Sequence, residues 1–145
     1  MAALSVKDVR LRIESAVDAA TGTSKSRFAG ELFGYDAQQL MHGAFCVDAP
    51  STDVHPQEGR QAPSLGTLAN TEIRVQVAHK FRADGQIADT DDALDFEHTI
   101  IKAVIGTTRT DLHIVFDGAS RDLTNGDEFR ILTLTFRAIH RLALQ

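Results

Sequence analysis

Tryptophan is absent from this 145-residue chain, and tyrosine and cysteine occur once each, as Tyr35 and Cys46. One cysteine closes no internal disulfide, so the fold has to stand without a covalent staple. A lone tyrosine without tryptophan gives no stacking platform for single-stranded nucleic acid. No apolar run reaches the length that spans a bilayer, and no signal-peptide pattern opens the chain. The expected setting is a reducing cytoplasm, or export by a route other than secretion, without a membrane span. Basic charge is also scarce: 15 Lys and Arg against 20 Asp and Glu give a formal charge of -5. That argues against a general nucleic-acid coat, because binding to phosphate backbones depends on clustered cations that displace counterions.

What is present is ordinary for a folded protein. Hydrophobic residues make up 43% of the chain and charged residues 24%, which excludes wholesale disorder, and the length suits one domain over residues 1–145 with a single core. The first helix starts at Ser5, with Asp8 three residues on as an acidic variant of the capping box. Val6, Val9, Ile13, Ala16, Val17 and Ala20 form its apolar stripe, Asp8 with Arg12 and Arg10 with Glu14 are charge pairs one turn apart, and Gly22 is the natural stop. Leu11 falls off the stripe. Residues 23–36 read as irregular, anchored by Phe28, Leu32, Phe33 and Tyr35.

The stretch MHGAFCVD, 41–48, reads as a strand. After it comes a long loop, about 48–70, that holds all three prolines (Pro50, Pro56, Pro63), a length that suits contact with a neighbour better than the needs of a compact monomer. TEIRVQVAHKF, 71–81, alternates Ile73, Val75, Val77, His79 and Phe81 with polar residues, so one face is core and the other wet. A second helix is expected over Asp91–Ile105 with Gly106 ending it. Strands follow at 111–118 and from 128, joined by an Asn125-Gly126 turn as an antiparallel hairpin. The fold class is α+β: a mainly antiparallel sheet with two helices packed on one face.

Candidate chemistry centres on residues 74–101, where Asp84, Asp89, Asp91, Asp92, Asp95 and Glu97 crowd together with two histidines. Asp89, Asp91, Asp92 and Asp95 fall at the cap and first turn and a half of the expected second helix, where the helix dipole favours negative charge, and the helix's only lysine, Lys102, sits near its other end. A calcium loop would need alternating oxygen ligands, a glycine and a distal glutamate, and that order is missing. Glu97 and His98 adjoin and so diverge by about 100° around a helix, which prevents a base and its orienting partner. The six histidines show no ligand spacing, His79 reads as a core or boundary residue, and Cys46 as a small buried one. TGTSKS lacks the frame of a phosphate loop. The residues therefore nominate no catalytic, cofactor or metal site.

The order of elements, the segment SRFAGELFGYDAQQLMHGAFCVDAP, the long loop, and TEIRVQVAHKF running into DTDDALDFEHTIIKAVI resemble the tail terminator, or tail-completion, proteins of long-tailed bacteriophages. The resemblance covers nearly the whole chain and rests on architecture, as the family has no invariant catalytic motif. It implies a structural, non-enzymatic virion protein: a hexameric ring on the last tail-tube ring that ends polymerisation and offers a joining surface to the head-tail connector. DNA would pass its lumen without specific binding. The implied place is the head-proximal end of the tail, with assembly in the host cytoplasm. Arg60 in the loop, with Arg74 and Lys80 on the wet strand face, are the interface candidates, although Arg74 and Lys80 read equally as solvated sheet. Two alternatives stay open: a neck or connector subunit of related fold, and a small α+β enzyme or ligand-binding domain whose conical pocket uses His79 or Asp95.

Overall fold

The computed structural model describes residues 3–20, 42–54, 67–80, 86–123 and 129–143. Helix α1, Val6–Ala19, begins where the sequence places it. Ser5 is extended, its hydroxyl accepts the Asp8 N–H at 3.0 Å, and the Asp8 carboxylate accepts the Ser5 N–H at 3.4 Å. This reciprocal cap satisfies two amides that the helix itself leaves open. Val9, Ile13 and Val17 are buried, while Leu11 remains exposed. Arg10 pairs with Glu14 at 2.7 Å. Arg12 does not pair with Asp8; it forks onto Asp111 at 2.9 and 3.1 Å, since a planar guanidinium gains two parallel hydrogen bonds there. Ala20 caps the end of α1, and the expected stop at Gly22 lies outside the described residues, as do the anchors at Phe28, Leu32, Phe33 and Tyr35.

Two long central strands carry the sheet. β3, Thr67–Lys80, and β5, Phe129–Leu142, pair antiparallel along their whole length; β2, Phe45–Val54, pairs antiparallel with β3 on one side, and β4, Leu112–Leu123, pairs antiparallel with β5 on the other. The hairpin expected of β4 and β5 is thus present, and its Asn125-Gly126 turn lies outside the described residues. β1, Ala3–Leu4, adds a two-residue parallel pairing beside Arg141 and Leu142. The sheet is therefore mixed, because the extended residues before Ser5 run alongside the end of β5.

The expected loop is shorter than its composition indicates. β2 continues through Pro50 to Val54 and β3 already begins at Thr67, so only residues 55–66 of it stay outside the described residues. A bulge between Asp48 and Ser51 absorbs the proline, which has no N–H to offer a ladder, and β2 bonds to β3 alone among the described strands. His42 and Gly43 make a turn before β2, and Gly43 has φ 83°, a conformation that suits glycine.

Alternation sets the core. Ile73, Val75 and Val77 of β3 stand opposite Phe136, Leu134 and Leu132 of β5, and all six are fully buried. Val9, Ile13 and Val17 of α1 join the same cluster, as do Phe96, Ile100 and Val104 of helix α2, Gln86–Ile105. Both helices therefore share one face of the sheet. Burying each such side chain stabilises the fold by roughly 1.5–3 kcal/mol before chain entropy is set against it. A smaller buried cluster, Ala44, Cys46, Ala78, Phe129 and Ile131, lies on the opposite face at the far end of β3. No described helix is long and apolar enough to cross a membrane.

Candidate functional site

Helix α2 starts at Gln86, five residues before the expected Asp91. Asp91, Asp92 and Asp95 therefore sit in its second and third turns, and all three are exposed. The field of a helix end fades within the first turn. Helix-end electrostatics thus fails to account for these carboxylates, and the sequence-based explanation of the acidic cluster has to be corrected. Among the described residues no group of three or more His, Cys, Asp or Glu is placed to hold a metal ion.

The two acid-base candidates are kept apart. His79 is buried, its ring 4.8 Å from that of His42 and 5.8 Å from that of Phe96. Asp95 is exposed on α2, whereas Phe96 beside it turns into the core. Cys46 is buried, with Sγ 3.8 Å from the Gln76 side-chain oxygen. Among the interface candidates, Arg74 is half-buried on the face turned away from the helices, its guanidinium 4.0 Å from Glu72. Lys80 is exposed six residues further along the same face, about 20 Å away at strand rise. Its backbone N–H donates to His42 Nδ1 at 3.1 Å. Arg60 lies outside the described residues.

That face away from the helices is polar along most of its length. Cross-strand neighbours on it include Asp48 with Arg74, Ser51 with Glu72, Arg74 with Thr135, and Glu72 with Arg137. Ser51, Asp53, Asn70, Glu72, Asp117 and Arg137 line a shallow cleft of about 200 Å³, across which Arg137 meets Asp117 at 3.3 Å. The sheet's two outer strands are partly capped from the side. Arg10 donates to the Val47 carbonyl of β2 at 3.1 Å, and the Thr108 hydroxyl accepts the Ile114 N–H of β4 at 3.2 Å. Such caps, like the bulges in both strands, hinder the addition of a further strand.

Three polar features were not legible in the sequence. Glu97, only 5% exposed, is forked by Arg121 of β4 at 2.7 Å on each oxygen, and this contact holds the Arg121 guanidinium above its usual pKa. The residues are 24 apart in sequence, and no local pattern links them.

The second is a buried chain of hydroxyls. His140 Nδ1 faces the Arg141 carbonyl at 3.2 Å, so that nitrogen carries the proton; Nε2 then accepts the Thr71 hydroxyl at 2.8 Å, and Thr71 lies 3.1 Å from Thr52 Oγ1. Burial holds His140 below the usual histidine pKa, against the opposing pull of the backbone carbonyls. The ring is fully buried, and its role is to tie β5 to β3.

The third is a groove of about 590 Å³ at the seam of α1, the end of α2 and the turn into β4, lined by Arg12, Lys102, Arg109, Asp111, Thr107, Thr110 and small residues such as Ala16 and Ala103. Asp111 is held below the usual carboxylate range, first by its hydrogen bonds from Arg12. Arg109 donates to the Gly106 and Thr108 carbonyls, and Thr107 to that of Val104, which closes the end of α2. No family model and no curated protein matches this sequence at a significant level.

Proposed function

We propose that this chain is a structural ring subunit at the head-proximal end of a phage tail. In this role it caps the tail tube, ends tail polymerisation and gives the head connector its joining surface, without turning over a substrate. The observation that carries the reading is the one-sided build. Both helices and the continuous core occupy one face of the sheet, and the other face offers a broad run of alternating charge formed by Asp48, Glu72, Arg74 and Arg137. A surface of this kind, with charges of both signs in fixed register, favours specific subunit and partner contacts over non-specific adhesion.

Ring closure needs two different patches on each subunit, one meeting the other on the next copy. The charged sheet face with Arg74 and Lys80 is offered to partners above and below, and Arg60, outside the described residues, stays an interface candidate from the sequence. A hexamer of such subunits would leave a lumen through which DNA passes unbound. The enzyme reading finds less support, because His79 is walled in by rings while Asp95 faces solvent.

The experiment is assembly in infected cells lacking this gene. Overlong tails that fail to join heads are the expected result. Tails of normal length that fail only in joining would support a connector subunit instead, and normal, joined tails would end both readings.

A further inference from the structure

The displaced start of α2 leaves Asp91 and Asp95 as exposed carboxylates that the helix end does not stabilise. The helix's one lysine, Lys102, lies about two turns beyond Asp95 and stands on the wall of the seam groove. Along the helix, Asp91 and Gly106 at the groove are about 22 Å apart at 1.5 Å per residue, so one molecule cannot bring its own acidic turn into its own groove.

The groove has the complementary charge. Three cationic side chains line it against one carboxylate, and that carboxylate is already held by Arg12. Lys102 makes no ion pair among the described residues. The end of a helix normally carries partial negative charge that would oppose an entering anion. Here Arg109 and Thr107 occupy the carbonyls of Val104, Gly106 and Thr108, which blunts that opposition. Ala16, Ala103 and Gly106 keep the walls low, leaving space for side chains to enter.

We propose that this groove is a self-docking site, and that its occupant is the acidic turn Asp91–Asp95 of a second copy of the chain. Asp91 and Asp95 lie one turn apart on one side of α2, so both carboxylates present together to Lys102 and the Arg109 rim. The contact joins the front of one α2 to the back of the next. Asp91, Asp95 and Lys102 share one stripe of α2, so reciprocal pairing would give a two-fold dimer, whereas head-to-tail repetition around an axis closes a ring. The ring form deepens the reading above and rests on it, and a wild-type mass that stops at the dimer overturns it. The docking also places the subunit contact on the helix side, away from the capped strand edges.

Charge exchange tests it on the full chain. Lys102→Glu and Asp95→Lys are each made singly and combined, with mass read by sedimentation velocity at low ionic strength and folding checked by circular dichroism. Wild type should associate, and each single variant should weaken association by about 100-fold, the scale of facing like charges. The two single variants mixed together should reassociate as alternating copies, because the lysine introduced into the turn of one meets the glutamate introduced into the groove of the other, while the unaltered turn and groove pair as in wild type. The double variant should reassociate alone for the same reason. Single variants that associate like wild type would overturn the docking site and leave the ring reading standing, as would folded single variants that stay apart when mixed. A wild type that remains monomeric even with tail-tube protein would overturn both.

Discussion

Removing the positive partner of Glu97 is the sharpest test of how this fold is held. Arg121→Met keeps most of the length and apolar stem of the side chain, but leaves a carboxylate that is 5% exposed without its two 2.7 Å hydrogen bonds. Breaking a buried pair from one side costs about 3–5 kcal/mol. Arg121 itself is 44% exposed, so water reaches its end of the pair and the expected loss falls to roughly 2–3 kcal/mol. An unfolding entropy of about 2.1 cal/mol/K per residue makes each kcal/mol worth about 3 °C in a chain of this size, and the melting temperature should drop by roughly 7–10 °C. Glu97→Gln removes the charge from the buried side and should cost less. The double variant should be more stable than the sum of the two losses implies, with a coupling of about 1–2 kcal/mol in urea unfolding. A loss below about 0.5 kcal/mol for Arg121→Met, with no coupling, would show that the pair holds nothing and that the reasoning is wrong.

Two further predictions concern single residues. His140 is buried and its folded pKa is depressed, so the unfolded chain binds the proton more readily; its stability contribution is complete above the unfolded value and falls as pH drops below about 6.5. Urea midpoints measured from pH 8 to 5 should decline for the wild type and flatten for His140→Gln, and equal slopes would refute the assignment. Gly43→Ala forces a side chain onto φ 83° and should cost about 1–2 kcal/mol by thermal melting, and an unchanged melt would show that the turn relaxes freely.

Local rules carried much of the architecture. The Ser5 and Asp8 cap, the buried stripe of α1, the alternation of Ile73, Val75 and Val77, and that of Leu132, Leu134 and Phe136 are all set by contacts one turn or one pleat away, so the sequence alone determined them. It also determined that β4 and β5 form an antiparallel pair. The start of α2 was misplaced because the run of aspartates mimics a cap, although the turn signal of Asp84 and Gly85 directly precedes Gln86. The strand through Pro50 was missed because proline reads as loop, and only one-sided pairing with β3, with a bulge at the proline itself, makes that position acceptable. Tertiary structure alone decided that Arg12 leaves Asp8 for Asp111, that Arg121 reaches Glu97, and that Thr52, Thr71 and His140 line up. Each of these joins residues that meet only once the strands have paired and the helices lie on the sheet. The seam groove has the same origin, since its cations come from two helices and a turn that no sequence period brings together.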